Sequence, residues 1–121
     1  MDSITMLRTA VVLFAIAAVG GLAMAAIRFV RQVNPPAWLA MLHGLLAAAA
    51  LTLVGFAAFT VGVPPVAKVG FVLLVVAAAG GAFLNLGYQW KQRLLPSVIV
   101  VVHAALAVTG LACLLVAAFA Q

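Results

Sequence analysis

The stretch PAWLAMLHGLLAAAALTLVGFAAFTV, from Pro36 to Val61, contains no charged residue and one histidine, His43. At 1.5 Å per residue, a helix of this length crosses the ~30 Å hydrocarbon core of a bilayer with some tilt. Outward from it, three more apolar runs, each about 24 residues long, fill most of the chain: Met6 to Phe29, Val66 to Trp90 and Leu95 to Ala120. The connections are short and polar or proline-bearing: Arg31 to Pro36, Gly62 to Pro65, and Lys91 to Pro96. Each places proline where a helix can start, because its missing N–H is not needed in the first turn. Loops this short make successive helices antiparallel neighbours. The fold class is therefore all-α: a four-helix transmembrane bundle, with residues 1–121 as one domain.

Composition agrees. Hydrophobic residues make up 69% of the 121 and charged residues 6%, where a soluble domain carries about a quarter charged residues. Asp2 is the only acidic residue, which excludes carboxylate-pair catalysis, Ser-His-Asp hydrolysis and acidic proton relays inside the membrane. The lone Cys113 has no disulfide or cluster partner and reads as a small apolar filler. The net charge of +5 is thin and scattered, so no nucleic-acid partner is expected; the partner it fits is a lipid bilayer. Arg8 with Ala23-Met24-Ala25 imitates a cleavable signal peptide, but the repeat described next gives this segment a counterpart, and retention is expected.

Sliding the sequence by 60 residues superposes residues 6–61 on residues 66–121. Gly20 and Gly21 fall on Gly80 and Gly81, Gln32 on Gln92, Pro36 on Pro96, His43 on His103, Arg8 on Lys68, and Arg31 on Lys91. Alanine and leucine matches are cheap in such a chain; these are not. The pattern reads as two parallel-oriented two-helix repeats related by a pseudo-two-fold axis along the membrane normal. It puts His43 and His103 at one depth, about 10 Å in from the end of the bundle where helices two and four begin. Arg28, Arg31, Lys91 and Arg93 against Arg8 and Lys68 orient that end to the cytoplasm, with both termini non-cytoplasmic, and a bacterial inner membrane is the expected location.

Ionisable groups at this depth face the bundle interior and carry function by default. Two imidazoles make a poor zinc or copper site, which wants three or four ligands, but they complete the axial set of a haem iron. Gly44 and Ala104 beside the histidines, and the two Gly-Gly pairs in helices one and three, offer room for a flat cofactor. Ordinary small-residue helix packing is the alternative. The expected partners of the free ring N–H groups are the preceding helical turns, near Leu39 and Ile99. For carboxylates of the cofactor, the repeat-matched Arg31 and Lys91 are preferred among the four basic residues. Asn85 is expected to bond between helices, and Trp38, Tyr88 and Trp90 to form an interfacial aromatic belt.

On His43, His103, Gly20, Gly21, Gly80 and Gly81 the chain resembles membrane b-type cytochromes of the cytochrome b and b561 kind. In those families, parallel second and fourth helices each give one histidine to a haem, and glycines of the first and third make room for the ring. The resemblance implies one haem b per chain, with His43 and His103 as iron ligands, and electron transfer with a membrane or peripheral redox protein or a quinone. Where those families place a second histidine on each helix, this chain has Phe56-Ala57 and Val116-Ala117, so a two-haem wire is excluded. Two other readings stay open: a cofactor-free accessory or assembly subunit of a larger membrane complex, and a small transporter working through neutral histidines.

Overall fold

The computed structural model describes residues 1–120. Among these there are four helices and no strand: α1 (Ser3–Arg31), α2 (Ala37–Phe56), α3 (Pro65–Leu84) and α4 (Ser97–Phe119). A π-helical turn at Ala57–Val61 prolongs α2, and another at Asn85–Gln89 prolongs α3. With those turns included, all four are long and apolar enough to cross a membrane. The π turns hold one more residue per turn than an α-helix and are invisible to a hydropathy reading.

Local chemistry sets the boundaries. Asp2 caps α1, its carboxylate accepting the Thr5 backbone N–H at 2.7 Å, and this bond holds its carboxyl below the usual carboxylate range. Pro36, Pro64 and Pro96 occupy the caps of the other three helices with extended backbone. α1 stops at Gln32, which turns left-handed at φ 55°, and Gln92 does the same after α3 at φ 53°. The tight turn after α2 uses Gly62 at φ 95°, where a side chain would be strained.

Helix α1 packs most extensively on α2, and α3 on α4; α1 against α4 and α2 against α3 close the ring. Gly70 and Gly110 let α3 and α4 cross closely: a Cβ on Gly70 would lie 2.9 Å from the Gly110 carbonyl oxygen, and one on Gly110 3.1 Å from that of Gly70. A Cβ on Gly70 would also meet the Cβ of Cys113 at 2.9 Å, so the cysteine fills this crossing. The matching positions in the other pair are Ala10 and Ala50, both fully buried.

Both ends are tied across the bundle. At one, Arg8 Nε donates to the Ala118 carbonyl at 3.2 Å, joining the start of α1 to the end of α4. At the other, the two long connections are stitched together. Arg28 Nε donates to the Leu95 carbonyl (2.7 Å), Asn34 donates to the Arg93 carbonyl (2.7 Å) and accepts from the Leu95 N–H (2.9 Å), and Gln89 donates to the Pro35 carbonyl (2.7 Å). Helices α2 and α4 therefore start at the same end and run parallel. Trp38 and Trp90 are exposed at that end, and valines, leucines and phenylalanines cover much of the outer surface, which suits a lipid bilayer.

Candidate cofactor-binding site

Burial divides the bundle into layers. The close-packed core, built on Leu7, Phe14, Val54, Leu74 and Leu114, occupies the half towards the termini. Beyond Ala17 in α1, Ala50 in α2, Ala77 in α3 and Gly110 in α4, the next described residues towards the stitched end are half-buried or exposed. Full burial returns only at Arg28, Pro35, Leu84 and Leu95. The intervening layer is where His43 and His103 sit, both half-buried, with ring centres 6.2 Å apart and planes crossing at 72°.

The two histidines are held in the same way. His43 Nδ1 lies 2.7 Å from the carbonyl oxygen of Ala17, and His103 Nδ1 lies 2.7 Å from that of Ala77. A carbonyl can only accept, so Nδ1 carries the proton and donates, and in a neutral ring this tautomer makes Nε2 the lone-pair nitrogen. Neither Nε2 makes a hydrogen bond among the described residues. The expected partners near Leu39 and Ile99 are thus replaced by carbonyls of the neighbouring helix. All of these carbonyls belong to helical backbone ladders, but those of Ala17 and Ala77 have a glycine four residues on and take the imidazole N–H as a second bond.

Glycine does the uncovering. A helix carbonyl points towards the residue four positions on, and side chains tilt back over the preceding turn. Gly21 and Gly81 follow Ala17 and Ala77 by four, so each leaves its carbonyl open to an imidazole. A Cβ on Gly21 would stand 3.1 Å from His43 Cε1, and one on Gly81 3.0 Å from His103 Cε1. What these two glycines admit first is the partner imidazole, where a cofactor ring was expected. A Cβ on Gly20 or Gly80 would meet the same histidines more loosely, 4.0 Å from the histidine Cβ in each case. Gly44 and Ala104 are exposed, and a methyl on Gly44 would meet nothing within 4 Å.

No protein-family model matches this chain, nor does any curated protein or solved structure.

The donor set can be tested against chemistry. Among the described residues there is no group of three or more histidine, cysteine or acidic side chains, so the pair could not complete a zinc or copper site from protein alone. A metal that brings its other ligands needs only two axial nitrogens. Two metal–nitrogen bonds of about 2 Å, plus the radius of each imidazole, span about 6 Å, close to the observed 6.2 Å. Each ring also has the outer hydrogen bond to a backbone carbonyl that metal-bound histidines usually make.

The polar residues sort differently from expectation. Arg31 and Lys91 are exposed. Arg28 is the buried one, 7% exposed, donating to Leu95 and, at 3.1 Å, to the Gln32 side chain. Asn85 makes no interhelical side-chain bond among the described residues; its carbonyl accepts the Trp90 N–H at the π turn. Arg28, Asn34 and Gln89, which close this end, were not singled out as a group by the sequence. At an offset of 60 these three positions face Tyr88, Leu94 and Phe29, and that cluster of mismatches was the available signal.

Proposed function

We propose that this chain is a single-haem b-type membrane cytochrome in which His43 and His103 are the two axial ligands. The observation that carries the reading is the matched pair of imidazoles, each with Nδ1–H on a carbonyl 26 residues earlier and Nε2 without a hydrogen bond among the described residues, 6.2 Å apart between ring centres. The carbonyl bonds fix tautomer and orientation, so both lone pairs are prepared before any iron is bound. The half-buried layer between the close-packed core and the buried residues Arg28, Pro35, Leu84 and Leu95 suits a bulky apolar ligand better than tight helix packing does. Haem supplies one-electron iron chemistry, and two protein ligands leave no open position for oxygen, which favours electron relay. The contacts repeating at an offset of 60 support duplication of a two-helix unit, and the basic connections support a cytoplasmic stitched end in a bacterial inner membrane.

A second reading, a cofactor-free accessory subunit, draws on the same carbonyl bonds, because they staple α2 to α1 and α4 to α3. It assigns no task to the two Nε2 atoms. Alanine at both histidines separates the readings: the haem reading predicts that protein produced with ample haem loses all bound haem. Retention of the parent spectrum by the double variant would overturn it.

A further inference from the structure

Arg28 is the one buried charge among the described residues, and it has no anionic partner. Of the five N–H donors of its guanidinium, two are accounted for, both by uncharged oxygens, on Leu95 and Gln32. The Phe29 ring lies 5.6 Å from the guanidinium carbon. The only acidic side chain in the sequence, Asp2, sits at the far end of the same helix, about 40 Å away at 1.5 Å per residue. The negative end of the α1 dipole offsets part of the charge, but buried charges ordinarily find a full counter-ion. The surroundings add none: Arg31, Lys91 and Arg93 share this end of the bundle.

Position says where the anion belongs. Ala17, Gly21 and Arg28 are spaced by four and seven residues and so lie on one face of α1. The first binds the His43 ring, the second packs on it, and Arg28 follows about 10 Å further towards the stitched end. Arg31, nearly one turn further on, is exposed and does not share the burial. At an offset of 60, α3 carries Tyr88, which offers a phenol and no charge.

Resting on the haem reading, we infer that Arg28 is the one-sided seat for a carboxylate of the ligand held at His43 and His103. Arg28 supplies the charge-assisted hydrogen bonds and the ligand supplies the missing anion. Arg31 and Lys91 remain in the headgroup region.

The test compares haem with its dimethyl ester, in which both carboxylates are masked, by spectral titration of the detergent-purified apoprotein. The parent protein should bind free haem about ten-fold more tightly than the ester. Arg28→Gln should bring that ratio close to one, and Arg31→Gln and Lys91→Gln should leave it unchanged. Equal affinity of the parent for both forms would overturn the assignment while leaving the haem reading intact, and would point to a lipid phosphate as the counter-ion. An unchanged ratio in Arg28→Gln would overturn it equally. If Arg28→Gln does not fold, the Arg31→Gln and Lys91→Gln proteins decide: a ratio unchanged from the parent in both supports the assignment, and a ratio near one in either overturns it. Failure of the parent to bind either form overturns the haem reading itself.

Discussion

Gly21→Ala and Gly44→Ala make the same chemical change inside a helix, and the structure gives them different outcomes. At Gly44 the new methyl meets nothing within 4 Å, so alanine brings its helix-propensity gain of about 1 kcal/mol. At Gly21 the methyl would stand 3.1 Å from His43 Cε1 and 3.4 Å from Nδ1, so the ring has to give by a few tenths of an ångström. That ring is anchored by its 2.7 Å bond to the Ala17 carbonyl, a bond of the kind worth about 1 kcal/mol net. Gain and loss nearly cancel, so Gly21→Ala should unfold within about 1 kcal/mol of the parent. Ligation does not share that cancellation. Weakening the outer hydrogen bond of a metal-bound histidine lowers affinity by about ten-fold or more. Denaturant unfolding in detergent reads the first quantity, and haem titration followed by Soret absorbance reads the second. If Gly21→Ala gains the full propensity term and binds haem like the parent, the imidazole does not rest against Gly21. If Gly44→Ala weakens binding as much as Gly21→Ala, the assignment of the two glycines is refuted.

Three further outcomes follow from the geometry. If both rings ligate one iron with their planes crossing at 72°, two iron d orbitals would lie close in energy and the ferric protein should show the highly anisotropic, large-gmax low-spin EPR signal of near-perpendicular ligands; a rhombic signal of parallel rings would contradict the ring orientation. Gly110→Ala puts a methyl 2.6 Å from Leu74 Cγ and 3.1 Å from the Gly70 carbonyl, and this overpacking should cost about 1–3 kcal/mol in denaturant unfolding, whereas stability equal to the parent would argue against so close a crossing. A reporter fused after Gln121 should behave as exported, and cytoplasmic activity of that fusion would reverse the proposed orientation.

Much of the fold was legible because membrane spans are written in hydropathy and length, and proline marks helix starts. The equal level of His43 and His103 was legible for a different reason: an offset of 60 that also moves Gly21 to Gly81 and Gln32 to Gln92 preserves depth. What the histidines bond to was not legible. It depends on which neighbouring carbonyl is uncovered, and that follows from the rotation of α1 against α2. Gly21 carried the clue, but a glycine read alone says only that something comes close, and an imidazole and a cofactor ring make the same demand. Arg28 was hidden among four basic residues of equal sequence standing. Matching at an offset of 60 favoured Arg31 and Lys91, yet burial falls on the cation that the same offset pairs with a tyrosine, because Leu95 offers its carbonyl to α1.

The most direct test is the absorption spectrum and pyridine haemochrome of the full chain, purified in detergent after production with ample haem. The account predicts one b-type haem per chain, six-coordinate and low-spin in both oxidation states, with no binding of carbon monoxide to the reduced form. Protein that carries no haem under those conditions, or a five-coordinate haem that binds carbon monoxide, would contradict the pairing of His43 with His103 across one iron.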